Sequence, residues 1–183
     1  DPIAVQHSVI ESLAFAIKTP VGTIIHSGDF KHDPLEVSPD IQGFDVFREY
    51  GEHGVLLLLS DSTNAERPGH TLSELDIARS FEQIFSAQKG RIIVALFASN
   101  IRRVGRILAL ARKLGKKVAF AGRSMHTYAK LAHEQSSLTI PEDTLVLIEN
   151  IHQFPENEII VLATGSQAEP RSAMVRIASG IHK

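Results

Sequence analysis

Residues 13–18 (Leu13-Ala14-Phe15-Ala16-Ile17-Lys18) alternate in side-chain character, and a second extended run resumes at Thr23-Ile24-Ile25. Between them lies Thr19-Pro20-Val21-Gly22, a tetrapeptide with turn chemistry. Period two sends successive side chains to opposite faces, so the pattern predicts a β-hairpin. A turn centred on Pro20 and Val21 pairs Asp29 near Ser12, which returns the chain to the end where His7 lies. A polar loop through Pro34 and Pro39 follows, then a short amphipathic helix with Phe44, Phe47 and Tyr50 inward, stopped by Gly51 and Gly54. The run Val55-Leu56-Leu57-Leu58-Leu59 reads as a buried strand that delivers Ser60-Asp61-Ser62-Thr63-Asn64 at its carboxyl end. Thr71-Leu72-Ser73-Glu74 has the form of a capping box, with Leu75, Ala78, Phe81 and Phe85 on one face of the helix it opens and Gly90 at its end.

From residue 89 the pattern changes. Residues 92–97 form an apolar strand, and Ser99 or Asn100 caps a helix whose inner face is Ile101, Val104, Leu108 and Ala111. Gly115 closes it, a strand begins at Val118, and Ser124 is expected to cap a helix with Met125, Tyr128, Leu131 and Ala132 inward. Residues 143–153 are ambiguous; residues 159–163 form a third strand, and a helix follows from about Arg171. The order β-α-β-α-β implies a parallel sheet with right-handed crossovers. The predicted fold class is therefore α/β, in two parts, 1–88 and 89–183.

Three strands of the second part end in small polar loops: Ala98-Ser99-Asn100, Gly122-Arg123-Ser124 and Thr164-Gly165-Ser166-Gln167. Open α/β sheets bind ligands beyond the carboxyl ends of their strands, where helix N-termini offer unpaired N–H groups to anions. Arg103 and Arg123 fall near that rim. Charge sharpens the picture. The net charge of −2 hides a stretch from Lys89 to Lys130 with eleven Lys or Arg and no Asp or Glu, set between acidic flanks. Such a block suits a phosphate backbone, and a solvated helix face is the plain alternative.

The length of 183 residues and 43% apolar content allow one medium domain or two small ones with a real core. With no cysteine, disulfides and thiolate metal sites are excluded, and a reducing, cytoplasmic setting is expected. No apolar run approaches membrane-spanning length. The chain starts at Asp1 and reads as a fragment. His7 and Asp29, brought to one hairpin end, are a neutral imidazole and a carboxylate of the kind zinc or manganese takes. They are only a pair, because the chain has no His-x-His. The other eight histidines read as surface or packing residues.

The motifs Gln6-His7-Ser8, Ser27-Gly28-Asp29-Phe30-Lys31, Ser60-Asp61-Ser62-Thr63-Asn64-Ala65-Glu66 and Thr164-Gly165-Ser166-Gln167-Ala168-Glu169-Pro170, in this order, resemble the bacterial ribonuclease J family. That family belongs to the β-CASP branch of the metallo-β-lactamase superfamily. Phe97-Ala98-Ser99-Asn100-Ile101 and Gly122-Arg123-Ser124-Met125 fit the same pattern. The resemblance implies the end of a lactamase-type segment followed by the first part of a Rossmann-like β-CASP domain. It implies that His7 is a zinc ligand, that Asp29 bridges two zinc ions (manganese being the alternative metal), and that Asp61 is the first acidic motif of the branch. The function implied is hydrolysis of single-stranded RNA, 5′-to-3′ exonucleolytic and endonucleolytic, in RNA processing and decay. Ser99, Asn100, Arg103, Arg123, Ser124, Ser166, Gln167 and Glu169 would grip RNA, with acidic Glu169 better suited to a ribose hydroxyl or a loop anchor.

The family also has an upstream His-x-His-x-Asp-His cluster and a downstream histidine motif, neither of which is in this chain. The fragment alone is therefore expected to be inactive and to hold little zinc, and homo-oligomerisation of a full-length protein stays open. Arg102 stands where the family pattern has histidine, and Ala168 where it has glycine. Two other readings are a small-substrate metallo-hydrolase on the lactamase fold and a non-catalytic nucleic-acid-binding or assembly module.

Overall fold

A computed structural model describes residues 1–35 and 44–181. The chain divides into two compact units, 1–76 and 77–183. In the first, β1 (Pro2–Ala4), β2 (Leu13–Thr19), β3 (Gly22–His26) and β4 (Leu57–Leu59) form a four-stranded sheet in the order β1-β2-β3-β4. The hairpin turns at Pro20 and Val21, since Thr19 pairs with Gly22 and Phe15 with His26. The paired register ends at Phe15 and His26, short of the expected pairing of Asp29 near Ser12.

Alternation in β2 buries Ala14 and Ala16, which join Ile3, Val5 and Ile25 in a core. Phe47 and Tyr50 of helix α1 (Phe44–His53) pack on that core with Phe30, Val46 and Val55. The Phe44 side chain lies outside the described residues. The opposite phase of β2 leaves Leu13, Phe15 and Ile17 exposed. The apolar run at 55–59 does yield a strand, parallel to β3, but it is not buried: Leu56, Leu57, Leu58 and Leu59 are 46–59% exposed. β4 is an edge strand here, and hydrophobic content alone does not report which faces are covered.

Helix α2 (Glu74–Ala87) begins two residues later than a cap at Thr71 requires. Ser73 Oγ accepts from the Leu75 N–H at 3.2 Å, and the Glu74 N–H goes to Asp33, 41 residues away in sequence. A long-range acceptor has displaced the local capping box.

The second unit holds the parallel sheet: β5 (Ile92–Ala95), β6 (Lys117–Ala121), β7 (Leu145–Val146) and β8 (Ile159–Ala163), in the order β5-β8-β6-β7. β8 lies inside the sheet and all five of its residues are buried, as its uninterrupted apolar sequence demands. Ile159, Val161 and Ala163 pack with Ala121 and Ala173, covered by Ile148, Ile151, Phe154 and Ile177. The ambiguous stretch resolves into β7 and a 3₁₀ helix at Ile148–Gln153. Helix α3 (Ile101–Lys113) buries Ile101, Val104, Ile107, Leu108 and Ala111. Helix α4 (Arg123–Glu134) buries Met125, Ala129 and Ala132, while Tyr128 and Leu131 are 45% and 50% exposed. Its inner stripe thus follows i, i+4, i+7 from Met125, one residue out of phase with the expected one at its centre. Helix α5 (Ala173–Ala178) starts after Ser172, whose Oγ accepts from the Val175 N–H at 3.4 Å. Among the described residues no helix is long and apolar enough to cross a membrane.

Candidate functional site

Three loops converge at one end of the first sheet. The Lys31 N–H donates to the Gln6 carbonyl at 2.6 Å, and the Val5 N–H to the Ser12 carbonyl at 3.0 Å, so the His7 and Asp29 segments lie side by side. The third loop arrives from β4. The Ser27 N–H donates to the Leu59 carbonyl at 2.9 Å, the Asp61 N–H to Ser27 Oγ at 2.8 Å, and the Phe30 N–H to Asp61 Oδ2 at 3.5 Å. Gly28 makes the close approach: φ is +59°, and a Cβ there would stand 2.5 Å from the Leu13 carbonyl oxygen.

The three acidic and imidazole groups are engaged differently. Asp61 Oδ1 accepts from the Thr63 N–H at 2.9 Å. Hydrogen bonds from the Thr63 backbone and hydroxyl outweigh burial and, with the Phe30 N–H and the charge of His7, hold this carboxyl below its ordinary pKa. Asp61 is therefore ionised at neutral pH; it faces His7 electrostatically and makes no hydrogen bond to it among the described residues. The Asp29 carboxylate is exposed and takes no hydrogen bond or ion pair among the described residues. His7 is half-buried, with Nδ1 3.5 Å from Ser12 Oγ and 3.4 Å from the Val9 nitrogen. Ser12 gives its own proton to the Val9 carbonyl at 3.0 Å, so toward His7 it acts as an acceptor. That contact asks for a proton on Nδ1 and leaves Nε2 with the lone pair a metal takes; the Val9 N–H asks for the opposite tautomer.

An imidazole and an unengaged carboxylate carried on neighbouring segments are donor types that zinc or manganese takes, and they fit such a metal as a partial donor set. Among the described residues no group of three or more His, Cys, Asp or Glu is placed to hold a metal. A complete coordination shell would need donors beyond these.

The second cluster is the carboxyl edge of the parallel sheet. Because β8 sits between β5 and β6, its loop, Thr164-Gly165-Ser166-Gln167, lies between the loops carrying Ser99 and Arg123. Asn100 is the N-cap of α3, its Oδ1 accepting from the Arg103 N–H at 3.2 Å, so its side-chain oxygen is occupied by the helix. Ser124 does not cap α4: Gly122 occupies that position, and Ser124 lies exposed in the first turn beside Arg123. A Cβ on Gly122 would come within 2.6 Å of Thr164 Oγ1, a mark of how tightly the two loops meet. Ser166 and Gln167 are exposed, Ser99 is half-buried, and Glu169 Oε2 accepts from the Gln167 N–H at 3.4 Å. Glu169 thus anchors its own loop. Ala168 adopts φ +56°, the left-handed region that favours glycine. Ala168→Gly is expected to raise stability by about 0.5–1 kcal/mol in urea denaturation, and an unchanged or lower midpoint would show that the strain is absorbed elsewhere.

Sequence reading assigned no role to Gln6, Ser27, Lys31 or Asp33. Gln6, Ser27 and Lys31 lie in the quoted motifs and Asp33 two residues beyond one of them, and each has a partner distant in sequence. Gln6 clamps the Asp33 main chain, accepting its N–H at 2.8 Å and donating to its carbonyl at 3.3 Å.

The chain is 39% identical over 178 residues to ribonuclease J of Thermus thermophilus, covering 97% of this chain and 31% of that protein. It is 43% identical to ribonuclease J of Synechocystis (96% of this chain, 28% of that protein) and 42% identical to that of Helicobacter pylori (99% and 26%). The chain thus spans less than a third of these relatives' length. A solved protein of unknown function from Enterococcus faecalis shares the fold at a TM-score of 0.60, with 14% identity, covering 91% of this chain and 41% of that one. The family model described as ribonuclease J, beta-CASP domain, matches residues 89–183, just over half of the chain. This chain belongs to the ribonuclease J family.

Proposed function

We propose that this chain carries part of the metal centre and part of the RNA grip of a zinc-dependent ribonuclease that hydrolyses single-stranded RNA, exonucleolytically from the 5′ end and endonucleolytically. The observation that carries the metal reading is the convergence of the His7, Asp29 and Asp61 loops at one sheet end. The nuclease reading is supported by relatives named ribonuclease J.

Hydrolysis of a phosphodiester adds water at phosphorus and breaks the bond to the leaving oxygen. Zinc, when bound, supplies an acidified water and neutralises charge on the phosphoryl oxygens. His7 Nε2 and the Asp29 carboxylate are the groups of this chain that would hold it. Asp61 fixes the Asp29 loop through the Phe30 N–H and keeps a negative charge near His7. On the parallel sheet, Ser99, Ser124 and Ser166 offer hydroxyls, and Arg103 and Arg123 offer guanidinium groups, to the RNA backbone. Gln167 lies exposed on the same edge. Asn100 and Glu169 hold the α3 N-terminus and the β8 loop in place for those contacts.

Arg103→Ala and Arg123→Ala test the grip. Each is expected to weaken binding of short single-stranded RNA across sequences and to lower the slope of log affinity against log salt by about 0.7. Unchanged affinity and slope in both variants would remove these residues from the RNA surface.

A further inference from the structure

Asp33 is a carboxylate with 1% of its side chain exposed, and the chemistry above makes no use of it. Its Oδ2 accepts from the Glu74 N–H at 2.8 Å and lies 3.7 Å from Lys31 Nζ, while Oδ1 accepts from the Leu35 N–H at 3.2 Å. Burial raises its pKa, but the Glu74 N–H, the Ser73 hydroxyl, the Leu35 N–H and the Lys31 charge together outweigh burial and hold it below the ordinary value. Lys31 Nζ also reaches Glu74 Oε1 at 3.4 Å and donates to the Leu72 carbonyl at 3.4 Å. On its other side the Asp33 backbone is held by both ends of the Gln6 amide.

The arrangement has a direction. Gln6 is the residue before His7, and Lys31 and Asp33 follow Asp29 by two and four positions. Between β3 and α1 the described chain is irregular, so no strand ladder fixes where the Asp29 loop stands. The Gln6–Asp33 clamp ties that loop to the exit of the His7 segment. The Asp33 carboxylate and Lys31 ammonium then tie it to the N-terminus of α2, where the helix dipole favours negative charge. A buried carboxylate costs several kcal/mol unless fully hydrogen-bonded, and an apolar side chain would fill the same space without that cost. What the polar cluster supplies and packing does not is a fixed geometry.

We propose that Asp33, clamped by Gln6 and paired with Lys31, is a positioning residue that sets the spacing between His7 and Asp29 for metal binding. It rests on the reading of His7 and Asp29 as metal ligands. It is tested by Co²⁺ titration of the full-length gene product, followed by visible absorption, alongside thermal denaturation. Asp33→Ala is expected to weaken Co²⁺ affinity about 10- to 100-fold, as loss of an outer partner of a metal ligand does, and Asp33→Asn to recover part of it by still accepting the Glu74 N–H. Gln6→Ala, which leaves the carboxylate in place, is expected to shift affinity in the same direction and serves if Asp33→Ala does not fold. Ile107→Val in the other unit is the control for stability, expected to lower the melting temperature with unchanged Co²⁺ affinity. If Asp29→Ala loses Co²⁺ and both Asp33→Ala (or Asp33→Asn, if that alone folds) and Gln6→Ala keep wild-type affinity, the positioning role is wrong. If Asp29→Ala itself keeps wild-type affinity, the underlying metal reading fails instead.

Discussion

Asp29→Ala and His7→Ala, each made in the full-length gene product, are expected to lower the rate of RNA hydrolysis by at least about a hundredfold while leaving the melting temperature nearly unchanged. Loss of even an outer partner of a metal ligand costs about 10- to 100-fold, and these two are proposed as ligands themselves. The Asp29 carboxylate is exposed and makes no hydrogen bond or ion pair among the described residues, so its removal takes nothing from the fold. Among the described residues the hydrogen-bonding contacts of the His7 ring are those of 3.4 and 3.5 Å at Nδ1. Asp29→Asn separates charge from shape: it keeps the size of the side chain and should still lose most of the rate. Initial rates at saturating RNA, read beside circular dichroism, check this. Rates within about twofold of wild type in both variants would mean that neither side chain serves the reaction.

Gly28→Ala should do the opposite and damage the fold through the backbone. The residue holds φ +59°, and the added Cβ would meet a main-chain oxygen, that of Leu13, at 2.5 Å. A left-handed conformation costs a non-glycine residue about 1 kcal/mol, and forced overpacking adds about 1–3 kcal/mol. A total near 3 kcal/mol corresponds to a drop in melting temperature of roughly 6–12 °C for a chain of this size. Because the oxygen belongs to β2, the strain can be relieved only by moving the loop that carries Asp29. Metal affinity should therefore fall along with stability, whereas Ala168→Gly in the β8 loop should raise stability and leave metal affinity alone.

Much of this was legible because it is local. Thr19-Pro20-Val21-Gly22 specified the turn, and the turn fixed the register that returns Asp29 toward His7. The five apolar residues of β8 announced a strand inside a parallel sheet, and the stripe of α3 announced its buried face. What stayed hidden depends on partners far away in sequence. The start of α2 follows Asp33 instead of Thr71, because a carboxylate 41 residues off takes the Glu74 N–H. The sheet order β5-β8-β6-β7, which sets the Thr164 loop between the other two, is a matter of which strands find each other across long crossovers. The leucines of β4 look like core and are half-exposed, since composition does not say what covers a face. At the candidate metal centre the sequence named the proposed ligands. It did not name the Gln6, Lys31 and Asp33 cluster that holds them, whose bonds run between segments 27 to 43 residues apart.

The most direct test of the central claim is the zinc content of the full-length gene product purified in parallel as wild type, His7→Ala and Asp29→Ala, measured by elemental analysis per folded protomer. The account predicts zinc in the wild type and a large loss of it in both variants, with secondary structure preserved. Equal zinc in all three, or none in an active wild type, would contradict it.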